Sequence, residues 1–190
     1  MDKNATKAYK LTQEGVNFAN QGQIEKAIPC FKKSLVYAPN ANTYYLLALA
    51  YQMIGKITSA EKNYLQAISF NPQFSMAHNN LGAIYLNLKD YHEAIKCFSQ
   101  AISTDPNNSF AYNNLGNAYK DLNEKDKAIK NYKLALKPSL LKNCKKVLDK
   151  NRQSSPLFNT EVFTKNLERA YEKMWEIYKS GEKPTEIIIR

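Results

Sequence analysis

Apolar positions along this chain recur every three or four residues, the mark of helices with one buried face. In residues 75–108, SMAHNNLGAIYLNLKDYHEAIKCFSQAISTDPNN, Leu81, Gly82 and Tyr85 share one such face, and Ala94, Phe98 and Ala101 share a second. Pro106 then stops the run, because proline has no amide hydrogen to donate and disfavours helix in the residue before it. The stretch predicts two helices joined by a short turn. No alternation of apolar and polar residues predicts a strand anywhere in the sequence.

The same pattern is written four times. Pro39, Pro72 and Pro106 stand 33 and then 34 residues apart. Ala27, Ala60 and Ala94 precede them by 12 residues, and Ala128 continues the series. Four residues after each alanine comes an aromatic (Phe31, Tyr64, Phe98, Tyr132), and three further on a small residue (Ser34, Ala67, Ala101, Ala135). Earlier in each unit stands a tiny residue (Gly15, Ala48, Gly82, Gly116), followed three residues later by an aromatic (Phe18, Tyr51, Tyr85, Tyr119). Units begin near Ala8, Ala41, Ser75 and Ser109, and the fourth is cut short, with Pro138 two residues ahead of its register.

Each unit is a pair of antiparallel helices that cannot bury its faces alone, so stacking supplies the core. The small residues let the helices approach, and the aromatics fill the space to the next unit. Gly22 and Gly55 fall at the turn inside a unit, where a positive φ costs glycine little. Glu14 replaces the leucine of the other units (Leu47, Leu81, Leu115), as suits a terminal repeat with one face in water. Pro29 requires its helix to begin no earlier than about Ile24.

Over about 130 residues this pattern resembles the tetratricopeptide repeat. The resemblance implies an all-α, right-handed superhelical solenoid of about four helix-turn-helix repeats across residues 1–137. It also implies a scaffold that binds protein or peptide segments, with the first helices lining a concave groove. By position the groove walls include Tyr45, Asn79 and Asn113, beside Asn80 and Asn114, with Phe110 and Met76 at one edge, Asn117 further along and Thr12 in the first unit. Asn79, Asn80, Asn113, Asn114 and Asn117 form an asparagine strip in register on one face. An amide offers both donor and acceptor, so a row of them suits a peptide backbone of any sequence. The chaperone-binding members of the family hold a C-terminal carboxylate with lysine, arginine and asparagine. Here those positions hold Thr12, Tyr45, Met76 and Asn80, or Phe110 and Asn114, and that use is not expected.

The formal net charge of +10 raises nucleic acid as a partner. The cations are dispersed, however: residues 1–137 hold 16 Lys/Arg against 10 Asp/Glu, with acids interleaved throughout. A nucleic-acid site needs a basic stripe on one face, so nucleic acid is not an expected partner. No apolar run approaches the roughly 20 residues of a membrane span, and the polar start MDKNATKAYK lacks a secretory core. A cytoplasmic or nuclear location is expected, with no membrane partner. Cys30, Cys97 and Cys144 are widely spaced with no CxxC pair, which argues against a disulfide framework or structural zinc. Of the two histidines, His78 fills a packing position and His92 the start of a second helix. No carboxylates converge, and no metal or cofactor is expected.

From Pro138 the pattern changes. Leu140, Leu141, Cys144, Val147 and Leu148 have helical spacing, and after Gln153–Leu157 a second amphipathic helix carries Phe163, Leu167, Tyr171, Trp175 and Tyr178 in one stripe. The words Ser155-Pro-Leu-Phe-Asn-Thr160 and Tyr171-x-x-Met-Trp175 closely resemble the C-terminal end of the protein O-linked N-acetylglucosamine transferases, glycosyltransferase family 41. That resemblance implies a helical segment over 138–190 from an enzyme family whose repeats also carry an asparagine ladder, with Asn80 and Asn114 at ladder positions. In the family, two sugar-nucleotide-binding lobes lie between repeats and tail; here the repeats run straight on. Phosphate-cradling loops need glycine. The six glycines here all have other places: Gly15, Gly82 and Gly116 in helix packing, Gly22 and Gly55 in turns, and Gly181 at a helix end. No catalytic residue carries over. The expectation is an interaction scaffold or, alternatively, a truncated transferase relative that is inactive alone and acts in substrate selection or in association with a full-length glycosyltransferase.

Overall fold

The computed structural model of the protein describes residues 3–136, all within a compact unit spanning Met1–Ser139. The two helices expected beyond Pro138 lie outside the described residues. Seven helices follow in order: α1 Lys3–Asn20, α2 Ile24–Tyr37, α3 Ala41–Met53, α4 Ile57–Phe70, α5 Ser75–Asn87, α6 Tyr91–Thr104 and α7 Ser109–Asp121. A further helical run, α8, covers 125–136. Each unit pairs two successive helices, and each pair packs on the next. The units start where the sequence places them, except that α1 begins at Lys3, ahead of Ala8.

The expected small positions sit at the helix contacts. Ala27, Ala60, Ala67, Ala94 and Ala101 have no exposed surface, and Phe31, Tyr64 and Phe98 are buried against them. A methyl group on Gly82 would come within 2.7 Å of the Phe98 ring, so the residue must be glycine in this geometry. Glu14 is exposed while Leu47, Leu81 and Leu115 are buried. α2 starts at Ile24, leaving Pro29 inside its second turn. The carbonyl of Glu25, where the missing amide would have bonded, belongs to an exposed residue.

Every helix pair is joined by one turn motif. In the first, Gln23 N donates to Phe18 O at 2.9 Å and Gly22 N to Ala19 O at 2.9 Å. Lys56 with Gly55, Asp90 with Lys89, and Glu124 with Asn123 repeat both bonds, which makes four Schellman closures. The left-handed residue is Gly22 (φ 75°), Gly55 (φ 74°), Lys89 (φ 62°) and Asn123 (φ 61°). The sequence singled out the two glycines; Lys89 and Asn123 fill the same place without glycine's freedom. The other helix ends stop on extended residues before or at the prolines: Ala38, Asn71 and Asp105. Asn40, Asp90 and Asn108 cap α3, α6 and α7 by accepting backbone N–H bonds.

Repeats are also latched by polar groups. Asn108 Nδ2 donates to Ser75 Oγ at 2.9 Å, and Ser75 Oγ donates to Ala101 O at 2.8 Å. Between the first two units, Thr12, Ser34 and Thr43 form a buried hydroxyl cluster. No buried side-chain nitrogen or oxygen among the described residues lacks a partner.

Candidate peptide-binding groove

The first helices of the units, α1, α3, α5 and α7, form one layer. Within it α1 touches α3 and α5 touches α7, whereas no comparable contact joins α2 to α4 or α4 to α6. α3 and α5 are joined instead by the Asn80–Tyr45 hydrogen bond.

Along this layer the side chains of three successive units are hydrogen-bonded in a row. Asn80 Nδ2 donates to Tyr45 Oη at 3.2 Å and to Tyr64 Oη at 3.4 Å. Asn80 Oδ1 accepts from Asn79 Nδ2 at 3.2 Å, and Asn79 Oδ1 accepts from Asn114 Nδ2 at 3.1 Å. Tyr64 Oη in turn donates a hydrogen bond to Gln52 Oε1 at 2.7 Å. An aromatic bed supports the row, with the Tyr45 ring 4.9 Å from Phe74 and 5.8 Å from Tyr64. Burial pushes the Tyr45 and Tyr64 phenols up, and the bond from Asn80 partly offsets this in each, so both stay protonated as donors.

The structure separates asparagines that the sequence treats alike. Both amide hydrogens of Asn80 are committed to tyrosines, so its open capacity is on Oδ1. Asn114 keeps one N–H and its carbonyl. Asn113 is exposed and makes no hydrogen bond among the described residues. Asn117 accepts from Tyr132 Oη at 2.8 Å and keeps its N–H groups. Phe110 and Met76 are exposed at 76% and 54%. Thr12, placed among the groove walls by position, is instead buried at 7% exposure. Its hydroxyl bonds Ala8 O, Ser34 and Thr43, because the short side chain reaches the gap to the second unit. The tyrosine anchors of Asn80 were not foreseen; the tell-tale in the sequence was that Tyr64 is a tyrosine where units one and three carry phenylalanine.

His78 is a packing residue as its position implies, buried at 9% with Nε2 2.9 Å from Pro72 O. Among the described residues no group of His, Cys, Asp and Glu is arranged to hold a metal, and no helix is long and apolar enough to cross a membrane.

Tetratricopeptide-repeat family models match residues 41–74, 75–108 and 97–130. These residues are tetratricopeptide repeats, and the described fold is an all-α repeat solenoid. The crystal structure of MamA superposes with a TM-score of 0.68 at 29% identity, covering 72% of this chain and 80% of that one. The first tetratricopeptide domain of Spaghetti (RPAP3), bound to the HSP90 peptide SRMEEVD, gives 0.60 at 28% identity over 62% of this chain and 94% of that one. A probable UDP-N-acetylglucosamine–peptide N-acetylglucosaminyltransferase SEC from Arabidopsis thaliana is 45% identical over 51 residues. That match covers 27% of this chain and only 5% of the plant protein, so this chain spans a small part of that relative's length.

Proposed function

We propose that this protein is an interaction scaffold whose inner face holds an extended segment of a partner protein, gripping its backbone with Asn113, Asn114 and Asn117 and with the hydroxyl of Tyr45. The observation that carries the reading is the hydrogen-bonded row from Tyr45 through Asn80 and Asn79 to Asn114. It holds amides of successive repeats in fixed orientation on one face, which lowers the ordering cost of binding. Support comes from the repeats themselves and from the peptide-bound Spaghetti domain of similar structure. The test is calorimetric titration with extended Ser/Thr-rich peptides, before and after Asn80→Ala combined with Asn114→Ala. Affinity should fall at least about tenfold, the loss of about 1.4 kcal/mol that one or two net hydrogen bonds supply. A loss of affinity seen only together with a loss of helicity would remove the ladder from the reading.

A second reading is favoured by the 45% identity to the plant transferase over 51 residues. On it, the chain is a relative of that enzyme family, with residues 138–190 as a separate C-terminal segment, and it works beside a full-length glycosyltransferase. Titration with UDP discriminates. Micromolar binding by this chain alone would demand a nucleotide site in it, whereas peptide binding without UDP binding keeps it a scaffold.

A further inference from the structure

We infer that the protein has a second binding site, a cleft between α6 and α8, which takes a partner segment carrying a carboxylate side chain beside a large apolar one. The site is separate from the asparagine row and stands whether or not that row binds peptide.

The cleft has a volume of about 420 Å³ and is floored by Tyr112, Leu115 and Tyr119 of α7. At 3.6 residues per turn these three share one stripe of α7, and Asn113 and Asn117 lie on the opposite stripe. The cleft and the asparagine row thus use opposite sides of the same helix.

The third unit shows what the tyrosine of the fourth lacks. Tyr85, the counterpart of Tyr119, donates to Glu61 Oε1 on α4 at 3.0 Å. The α6 residue in the place of Glu61 is Ile95, which packs with Tyr119 in one apolar cluster. Isoleucine accepts no hydrogen bond, and the half-buried Tyr119 has no acceptor for its hydroxyl among the described residues. A ligand carboxylate set against Tyr119 Oη would restore the bond that the third unit makes within the chain, and a hydroxyl bonded to a carboxylate is one of the stronger pairings.

The charges lining the cleft favour the same ligand. They are Lys127 and Lys130 of α8, and no acid lines it. Lys127 is paired with Glu124 and lies 5.2 Å from the centre of the Tyr119 ring. Lys130 is exposed and has no ion pair among the described residues. The charged residues of the other two helices cancel in pairs, Glu93 with Lys96 at 3.3 Å on α6 and Lys120 with Asp121 at 3.6 Å on α7. On α8, Lys125 and Asp126 offset one another in charge at its start, and Lys133 adds a further cation outside the lining. The open ammonium at the cleft is therefore that of Lys130, and a carboxylate is the anion for which the Tyr85–Glu61 pair sets the precedent. Ile102 and Leu134 add apolar surface to the walls, which suits an apolar neighbour of that carboxylate.

The test is fluorescence anisotropy with short dye-labelled peptides: one built of Glu, Leu and Ser, one with Gln for each Glu, and one with Ser for each Leu. The first should bind at least about tenfold tighter than the others, the scale of one charge-assisted hydrogen bond. Its affinity should weaken as salt rises, because Lys130 is in contact with solvent. It should fall about threefold in Tyr119→Phe and about tenfold in Tyr119→Phe combined with Lys130→Gln. The first change keeps the ring and the second is at an exposed side chain, so the fold is retained, checked by circular dichroism. Asn80→Ala combined with Asn114→Ala should leave this affinity unchanged. Equal binding of the Gln peptide, unchanged affinity in the Tyr119–Lys130 double variant, or loss of affinity in the asparagine variant overturns the inference, as does absence of binding by the acidic peptide. Self-association of the parent chain that the Tyr119–Lys130 double variant abolishes would make the occupant a second copy and overturn the assignment to a partner.

Discussion

Lys89 gives the sharpest test of how the repeats are built. It occupies the left-handed position of the third Schellman turn, with φ 62°, where the first two units have glycine. The motif's bonds, Lys89 N to Leu86 O at 3.0 Å and Asp90 N to Tyr85 O at 2.9 Å, use backbone only. The Lys89 side chain is exposed, so Lys89→Gly removes a Cβ and little else. The left-handed conformation costs an L-residue roughly 1–2 kcal/mol. Glycine gives back about 0.4–1 kcal/mol through its freer unfolded chain. The net expectation is a gain of about 0.5–1 kcal/mol, or a rise in Tm of about 2–5 °C for a domain of this size. Asn123→Gly should gain less, because asparagine tolerates this region. Gly22→Ala should lose a similar amount for conformational reasons alone, since nothing lies within 4 Å of the added methyl. Urea unfolding followed by circular dichroism ranks the three against the parent. If Lys89→Gly fails to stabilise while Gly22→Ala is harmless, the shared turn geometry is wrong.

Ala94 has no exposed surface, so Ala94→Leu should destabilise by overpacking, about 1–3 kcal/mol; an unchanged Tm would place the repeat register elsewhere. The Cys97 thiol is pushed up to about 11, chiefly by burial and then by Glu93. In a Cys144→Ser background the folded chain should react slowly with Ellman's reagent at pH 8, with Cys97 modified at a rate that rises in urea; fast labelling of both thiols in the native state would contradict its burial. The Tyr85 phenol is raised to about 12, by burial first and then by its bond to Glu61. Its folded-state value lies above the ordinary one near 10, so its contribution to stability is complete below pH 10 and is lost as pH rises towards 12. Tyr85→Phe should flatten that part of the alkaline unfolding profile, and an identical profile would mean the phenol is not held in its neutral form.

Much of the fold was legible because a stacked repeat writes each contact several times. One alanine with an aromatic four residues later says little; Ala27, Ala60, Ala94 and Ala128 in register with Phe31, Tyr64, Phe98 and Tyr132 define both helices of every unit. The turns were half legible. Glycine announces a positive φ, but Lys89 and Asn123 do not, and only the two backbone bonds they share with Gly22 and Gly55 identify them. Thr12 was misplaced for a related reason. Position in the repeat sets which way a side chain points, but a threonine can turn its hydroxyl to Ala8 O and Ser34 where the longer Tyr45 and Asn79 reach out along the layer.

The groove asparagines show where position stops being informative altogether. An amide has two hydrogens to give, and the structure decides who receives them. Asn80 spends both on Tyr45 and Tyr64, so it acts as a brace that orients Asn79 and, through it, Asn114. Asn113, Asn114 and Asn117 retain hydrogen-bonding groups not used within the row, which the proposed binding mode assigns to a ligand. Two mutational signatures follow. Tyr64→Phe removes one receiver of the brace and the bond to Gln52 without touching the ligand-facing amides, and its fully buried ring still fills the core. Its effect on affinity should therefore appear only through loosened orientation, about threefold, and should vanish in an Asn80→Ala background. On the proposed binding mode Asn113→Ala removes a direct contact, and it should cost the same factor in either background. A double-mutant cycle on peptide affinity separates the two. If Tyr64→Phe and Asn80→Ala proved additive, the row would be four independent side chains and the groove would have no built-in rigidity to offer.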